Sequence, residues 1–512
     1  MILLKDCLLV LPDPSDPRAP TLEDVDILID GNRISRIGRD IRPHSGRRPP
    51  HGGAATAQRP DRESGSEGLR TIDASGCVVV PGFVNTHHHF YQVLTRAVPA
   101  VQDARLFQWL VYLYDVWKHI DPEAVRVSSA VAMGELLKTG CTCTTDHHYL
   151  YPRGFDADLT ALQFEAADEL GMRFAPMRGS MSLSKKDGGL PPDSVVQTEE
   201  EILKDSRRVI ETWHDPQPAA MRKVGLAPCS PFSVSRDLMV ETARLARAYG
   251  VRLHTHLAET EDEDAYCRRI YGRRPLELMQ EWEFLGEDVS FAHGIWFNDR
   301  ELETLAHTGT AVCHCPSSNM RLGSGIARVK EMLQQGITVS LAVDGSASND
   351  ASDFLGEMRQ ALFLQRVRHG ADALSIRQVF AMAISMGARV LGFDAAGNAG
   401  AGSNAGAGSN ARGPDEAGGR AGASGGACGI GRIAEGWAAD LAVFDVRRLE
   451  YAGALGDPLA ALLLAGSDHR TRWTIVNGRV VVDDGELTGA DEPALTEKAN
   501  RIAECLRRAG SG

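Results

Sequence analysis

The sequence predicts an α/β protein: a (β/α)₈ TIM-like barrel with a small β-sandwich domain formed by both chain ends. Three observations lead to this fold class. Eight short β-rich runs alternate with segments of helical period between residues 78 and 393. Polar side chains cluster where these runs end, as they do at the active-site face of parallel barrels. Further β-rich segments lie before and after the barrel.

The two chain ends are predicted to form one composite β domain, residues 1–77 together with 394–512. Alternating apolar and polar residues predict strands in three segments, 1–38, 430–450 and 472–485. A single domain built from both ends, with the barrel inserted between them, is the simplest arrangement that pairs these segments.

Two tracts near the seams of this β domain differ from the rest of the chain. Residues 40–70 are rich in Pro, Gly, Arg and Ser, and residues 395–429 are rich in Gly, Ala, Ser and Asn. Neither tract has an apolar period that could offset the entropy of ordering it. We expect both to be mobile surface insertions.

The barrel domain is predicted to span residues 78–393. Its β-rich runs lie at 78–87, 141–147, 173–180, 223–230, 252–259, 289–296, 310–319 and 338–346. Helical periodicity separates them, for example at Pro122–Thr139, Glu200–His214, Asp237–Tyr249 and Asp299–His307. Strands that alternate with helices in this way are typical of βαβ units and a parallel sheet.

Charge and hydropathy exclude several classes of partner. The chain has 512 residues, 43% of them hydrophobic, and a formal net charge of −13. Binding to phosphate backbones or anionic lipids is driven by clustered Lys and Arg, so we expect no nucleic-acid and no membrane partner. The N-terminal residues do not follow the pattern of a signal peptide, and we expect a cytoplasmic protein.

Histidines and carboxylates follow four of the predicted strands at the same end. They are His87, His89, His254, His256, Glu259, His293 and Asp344. Side chains two residues apart on a strand point the same way, so each His pair presents both imidazoles to one face. Imidazole and carboxylate groups are good ligands for zinc or ferrous iron. The sequence therefore predicts a metal site in the barrel mouth, without deciding between His254 and His256.

This set of residues resembles that of the amidohydrolase superfamily, and so do the segments NTHHHFYQ, HTHLAET, AHGIW, HCPSSNMRLGSG and AVDGSASND. The segments are most similar to the branch that deaminates purine and triazine rings. The resemblance covers nearly the whole chain apart from the two tracts. It implies that one divalent metal, Zn²⁺ or alternatively Fe²⁺, is bound by His87, His89, His256 and Asp344. Binuclear members carry a bridging lysine at the end of strand four, where this chain has Ala227 to Ser230.

The resemblance also implies hydrolytic deamination of a ring C–NH₂ group. Asp344 would act as general base, and Glu259 would carry a proton to the ring nitrogen and then to the departing amine. His293 would hydrogen-bond the tetrahedral centre. In barrels of this kind such groups stand at the carboxyl ends of the strands, where all three residues are predicted to lie.

The expected substrate is an oxidised purine, 8-oxoguanine, which would give urate and ammonia. Gln92 resembles the glutamine with which guanine deaminases bind the purine edge, although it could instead be a surface residue that begins a helix. Those deaminases carry an arginine where this chain has Cys229, which argues against guanine itself. Arg178 could supply a replacement donor fork to an oxo group, or could form a structural ion pair.

Aromatic residues are concentrated between residues 90 and 117, and two interpretations remain open for them. Some could stack on a flat heterocycle at the barrel mouth. At helical spacing they could equally pack in the core or in a dimer interface.

Other functions stay open at this stage. The first alternative is an s-triazine aminohydrolase or chlorohydrolase, or a guanine-type deaminase. All of these enzymes would use the same metal site. The second is a non-catalytic scaffold that retains the barrel. For the enzyme, the expected partners are a small heterocyclic substrate and further copies of the chain in a homo-oligomer, a dimer or larger.

Overall fold

The computed structural model describes residues 1–42, 68–394 and 428–510. Most of the two predicted insertions, residues 43–67 and 395–427, lies outside the described residues. The expectation that these tracts are mobile therefore stays a prediction.

The described residues of the N-terminal part of the chain contain five strands. They are β1 (Ile2–Val10), β2 (Leu22–Asp30), β3 (Arg33–Gly38), β4 (Arg70–Asp73) and β5 (Cys77–Pro81). β1 pairs with β2 in antiparallel register and with β4 and β5 in parallel register. Apolar residues of these strands face an apolar core that is separate from the core of the barrel.

The barrel contains eight parallel strands, two of which are interrupted. In order they are β6 (Phe83–Asn85), β7 (Cys141–Thr144) continued by β8 (His147–His148), β9 (Arg173–Phe174) continued by β10 (Met177–Ser180), β11 (Gly225–Pro228), β12 (Leu253–Leu257), β13 (Val289–His293), β14 (Ala311–His314) and β15 (Val339–Leu341). Each lies within one of the predicted β-rich runs, except that β8 ends one residue beyond the run 141–147. The run 78–87 is divided, since Cys77–Pro81 pairs in the flanking sheet and the barrel strand begins at Phe83.

Helices surround these strands. They are α1 (Leu106–Trp117), α2 (Pro122–Lys138), α3 (Leu159–Leu170), α4 (Glu199–Trp213), α5 (Arg236–Tyr249), α6 (Glu261–Tyr271), α7 (Pro275–Glu281), α8 (Asp299–Thr308), α9 (Pro316–Arg321), α10 (Val329–Gln334), α11 (Phe354–His369), α12 (Ile376–Ala383) and α13 (Ser385–Val390). Local sequence explains their ends. The Asp121 carboxylate caps the amide of Ala124 at the start of α2, and Gly250 ends α5 with a positive φ of 67°.

The barrel closes between its first and last strands. The amide of Thr86 donates to the carbonyl of Leu341 (3.3 Å), and the amide of Asp344 donates to the carbonyl of His87 (3.2 Å). The side chain of Asn85 adds a third bond, because its Oδ1 accepts from the amide of Val343 at 3.0 Å. Closure therefore fixes the ends of both strands at the face where the predicted site lies.

The C-terminal part returns to the flanking domain. It consists of β16 (Leu441–Asp445), α14 (Pro458–Leu464), β17 (Trp473–Val476), β18 (Arg479–Asp483), β19 (Glu486–Leu487) and α15 (Glu492–Gly510). The strand order β19-β18-β17-β16-β5-β1-β2-β3, with β4 beside β1, joins both chain ends in one sheet. The predicted fold class is thereby confirmed, whereas the domain limits proposed from sequence stay a prediction. Among the described residues, no helix is both long and apolar enough to span a bilayer.

A buried ion pair joins the barrel to the flanking domain. Arg173 of β9 is fully buried, and its guanidinium forms two 2.9 Å bonds to the carboxylate of Asp440. The same guanidinium donates to the carbonyls of Ala219 and Ala220, while Asp440 also accepts from the amide of Asn477. Every charged atom of the pair thus has a partner, which a buried ion pair requires in order to be tolerated.

Asp440→Asn is expected to destabilise the protein by about 3–5 kcal/mol, because it leaves the buried Arg173 charge without a counter-ion. Chemical denaturation followed by circular dichroism measures the change. Asp483→Asn is the matched control, since it removes the exposed partner of Arg70 and should cost less than about 1 kcal/mol. Equal losses in the two variants would contradict the role assigned to the buried pair.

Candidate metal-dependent active site

The four predicted metal ligands converge at the carboxyl ends of the barrel strands. His87 and His89 follow β6, His256 lies in β12, and Asp344 follows β15. The Nε2 atoms of His89 and His256 are 3.1 Å apart. Asp344 Oδ1 lies 3.4 Å from Nε2 of His87 and 3.4 Å from Nε2 of His89. Three imidazoles and one carboxylate thus share one centre.

Hydrogen bonds on the far side of each imidazole leave Nε2 with a lone pair. A carbonyl only accepts, so Nδ1 of His89 donates to the carbonyl of His147 and Nδ1 of His256 donates to that of Cys229. In a neutral imidazole the other nitrogen, Nε2, then carries no proton. Nε2 of His87 is buried and has no hydrogen-bond partner. Such lone pairs repel one another unless a cation lies between them, so these residues fit a divalent metal.

Electrostatics favours the same protonation states. Burial holds the pKa of His87 and His256 well below the ordinary value and lowers that of His89 as well, so all three are neutral at pH 7. Burial alone would raise the pKa of Asp344. The proximity of His87 above all, and of His293 and His89, overcomes this effect and holds the pKa of Asp344 well below its ordinary value. The donor set is therefore three neutral nitrogens and one carboxylate oxygen, a set that suits zinc.

His254 does not point into this centre but orients one of its ligands. Its Nε2 lies 2.8 Å from Nδ1 of His87, and its Nδ1 lies 2.8 Å from the hydroxyl of Ser290. When Nδ1 of His87 carries the ring proton and donates a hydrogen bond to His254, Nε2 of His87 is free to bind a metal. Partners of this kind fix the ring orientation and tautomer of metal ligands. These contacts favour His256 over His254 as the ligand, an assignment that stays a prediction.

His147 is a fourth imidazole at the centre. With His87, His89 and His256 it forms a group whose ligand atoms all lie within 4.8 Å of one another. Its Nε2 donates to the carbonyl of Ala227 at 2.9 Å, and its ring stacks on that of His256 with centroids 4.9 Å apart. The hydrogen bond to Ala227 and the stacking on His256 fix the position of the His147 ring beside the candidate ligands.

Glu259 and His293 lie beside the ligands. Nε2 of His293 is 3.6 Å from Oε2 of Glu259 and 4.0 Å from Oδ2 of Asp344. Burial raises the pKa of Glu259 to about 7, which lets the carboxyl gain or lose a proton near neutral pH. Burial lowers the pKa of His293, but the carboxylates of Glu259 and Asp344 more than reverse this, so its pKa is raised.

The backbone around these groups is strained. Ala258, His293 and Asp344 have positive φ values of 55°, 70° and 66°, which non-glycine residues seldom adopt. Side-chain bonds hold these turns: Oε2 of Glu263 accepts from the amide of Glu259 at 2.9 Å, and Oδ1 of Asn319 lies 2.9 Å from Nδ1 of His293. Strain of this kind persists only where surrounding structure enforces it, often at active sites. Sequence reasoning missed Glu263, which stands within an ordinary acidic first turn of α6.

A cavity of about 440 Å³ opens beside the convergent groups. His89, His256, Glu259, His293 and Asp344 line one part of it. The remaining lining includes Gln92, Trp109, Leu110, Tyr114, Tyr149, Cys229 and Phe232. Gln92 is buried rather than on the surface, and two of the aromatics expected between residues 90 and 117 reach the cavity. A mainly apolar wall with a few convergent polar groups suits a flat heterocycle.

Arg178 does not reach this cavity, which corrects the predicted substrate contact. Its Nε bonds Asp205 at 3.0 Å, and its terminal nitrogens bond Gln197 and the carbonyl of Gly179. The guanidinium also lies 4.2 Å from the ring centre of Tyr151. These neighbours occupy the guanidinium, so Arg178 serves in a structural ion pair.

Known proteins are similar to this chain in sequence and in fold. The amidohydrolase family matches residues 78–406. An 8-oxoguanine deaminase from Pseudomonas aeruginosa is 43% identical over 85% of this chain and 89% of its own. An isoxanthopterin deaminase from an unidentified prokaryote is 33% identical over 97% and 94%. The crystal structure of an atrazine chlorohydrolase from Arthrobacter aurescens, complexed with zinc, superimposes with a TM-score of 0.83 at 27% identity, covering 98% of this chain and 100% of that one.

Fold and site together define a barrel hydrolase with a His/Asp cluster able to hold a metal. The chain belongs to the amidohydrolase family. Within that family it is an enzyme of the purine and triazine deaminase type, acting on a small molecule.

His254→Phe is expected to weaken zinc binding about 10- to 100-fold, because it removes the hydrogen bond that fixes the tautomer of His87. Competition with a chromophoric chelator measures the affinity. Ser290→Ala, which alters only the outer end of the same chain, should have a smaller effect. Unchanged affinity in His254→Phe would show that His87 needs no such partner.

Proposed function

We propose that the protein deaminates 8-oxoguanine hydrolytically, giving urate and ammonia, with one zinc ion in the barrel mouth. One observation carries this proposal: three imidazole Nε2 atoms and Asp344 Oδ1 converge beside Glu259 and His293 at the wall of a largely apolar cavity. Water adds to the carbon that bears the amino group, and that carbon–nitrogen bond breaks. The ring keeps the oxygen and ammonia leaves.

His87, His89, His256 and Asp344 would hold the metal. When bound there, zinc lowers the pKa of water to about 7 and so supplies a hydroxide nucleophile at neutral pH. A single ion is favoured, because the end of β11 offers Cys229 and its neighbours rather than a bridging lysine. Lys223 lies before β11, at the opposite end of that strand.

Asp344 takes up the proton of the attacking water. Its Oδ1 faces His87 and His89, whereas Oδ2 faces His293 and the hydroxyl of Ser348 at 3.3 Å. Oδ2 is thus the oxygen left to accept a proton. Nε2 of His293 lies between the two carboxylates and donates a hydrogen bond to the oxygen developing on the substrate carbon.

Glu259 carries the second proton. Its carboxyl has no role in holding the metal, lies in the cavity wall and is buried. It protonates the ring nitrogen next to the attacked carbon, which makes that carbon more electrophilic. It regains a proton from the hydroxyl formed on that carbon and passes it to the departing amine, so that ammonia rather than an amide anion leaves. The proton held by Asp344 then returns to Glu259, which restores both carboxyl groups to their starting states.

Several features favour 8-oxoguanine among the possible rings. The similarity to the Pseudomonas aeruginosa deaminase extends over most of both chains. Gln92 lies in the cavity wall with its Oε1 near the amide of Ala347 (3.4 Å), so its amide group can face the purine edge. Cys229 also lines the cavity and places no cation there, in contrast to guanine deaminases. Isoxanthopterin, guanine and triazines are the competing substrates.

Ammonia release from purified enzyme of known zinc content tests the substrate. We expect turnover of 8-oxoguanine to exceed that of guanine, isocytosine, isoxanthopterin and a hydroxylated aminotriazine, with one zinc per chain. If the enzyme prefers another ring, the proposed mechanism is retained and 8-oxoguanine is rejected as the substrate. No turnover of any ring by the zinc-loaded protein would support the non-catalytic scaffold instead.

Glu259→Gln is expected to lower kcat by about 10²–10⁴-fold, the usual contribution of a positioned proton carrier. Zinc content, measured by atomic absorption, should stay at the wild-type value because Glu259 is not a ligand. Glu263→Gln serves as comparison, since its side chain can still accept from the amide of Glu259, and a smaller loss is expected. Near-full activity of Glu259→Gln would refute its assigned role.

A further inference from the structure

A second chamber adjoins the catalytic cavity. It has a volume of about 1,100 Å³ and lies between the loop before α1, the start of α6 and the end of α9. Its lining is mostly polar or charged, including Arg105, Glu261, Asp262 and Arg321, with the partly exposed ring of Trp296. This composition contrasts with the apolar wall of the inner cavity.

Two leucines line both chambers. Leu106 begins α1 and Leu322 follows α9, and each is at least nine-tenths buried. Because both residues line the inner cavity and the outer chamber, they lie at the boundary between the two. A group attached to a bound ring would have to pass these two side chains to reach the outer chamber.

The boundary is held in place by Arg321. Its terminal nitrogen donates to the carbonyl of Gln102 at 2.7 Å, and its Nε bonds Asp350 at 3.0 Å. The first bond ties the segment that carries Leu322 to the segment that precedes Leu106. The hydrogen bond between Arg321 and Gln102 thus helps to set the distance between the two leucines.

We propose that Leu106 and Leu322 form a threshold that restricts the enzyme to free heterocyclic bases and excludes their N-glycosides. The inference rests on the proposed deamination of a purine ring. With the reacting amino group at Glu259, the far part of the ring and any sugar on it must lie away from the catalytic groups. Sugar hydroxyls pressed against two leucine side chains would lose hydrogen bonds to water without replacement.

The experiment compares 8-oxoguanine with its 9-riboside, 8-oxoguanosine. We expect wild-type kcat/KM to favour the base by about 100-fold or more, as expected when a site leaves polar groups of a ligand unpaired. Leu106→Ala and Leu322→Ala should each reduce this ratio at least about tenfold by opening a path to the polar chamber. Wild-type turnover of the riboside within tenfold of the base would overturn the proposal.

Leu110→Ala is the matched control. Leu110 lies one turn after Leu106 on α1 and lines the inner cavity but not the outer chamber. Its truncation enlarges the cavity without opening the boundary, so the base-to-riboside ratio should stay at the wild-type value even if both rates change. An equal shift in Leu110→Ala would show that volume, and not the threshold, governs the ratio.

Folding and substrate identity are checked separately. Zinc content and thermal unfolding establish that each variant is folded, and Leu106→Val and Leu322→Val replace any alanine variant that is not. If 8-oxoguanine is not converted but another ring is, the proposed substrate fails, and the ratio is measured with the N-glycoside of that ring. The two proposals can thus fail independently.

Discussion

The structure depends on one electrostatic constraint: the lone pairs of several unprotonated nitrogens and of one carboxylate are held around a single point in the barrel mouth. Neutral imidazoles at 3.1 Å separation and a carboxylate beside them would move apart if they were free. Backbone carbonyls on the far side of His89 and His256, and His254 behind His87, prevent that movement. The protein therefore uses its interior hydrogen bonds to maintain an arrangement that is favourable only around a cation.

The hydrogen bonds that close the barrel also bring together residues of the candidate site. The strand seam that contains the bond from the amide of Asp344 to the carbonyl of His87 also brings these two ligands together. Positive φ at Asp344 and His293 turns the chain at the strand ends, so that their side chains face the barrel axis. Behind the barrel, the Arg173–Asp440 pair connects β9 to the flanking domain and steadies the third barrel strand.

Sequence reasoning predicted what repeats along the chain. Strand runs and helical segments follow from local period, and each of the eight predicted runs contains a barrel strand. The choice of candidate metal ligands follows from the resemblance to the amidohydrolase superfamily. Sequence reasoning could not assign Arg178, because an exposed-looking strand end does not reveal Asp205 and Gln197 nearby. Nor could it separate His254 from His256 without the resemblance, since both point the same way and only tertiary contacts distinguish ligand from support.

The same distinction explains why the reaction class is easier to infer than the substrate. Purine, pterin and triazine substrates all present a ring carbon next to a ring nitrogen, so one set of proton carriers and metal ligands serves them all. The discriminating contacts come from the cavity wall, to which α1, the loop after β8 and the residues after β11 all contribute side chains. No period or spacing in the sequence links these segments. Because apolar wall residues such as Leu106 and Leu322 look like ordinary core leucines, only their position between two chambers gives them a role in selectivity.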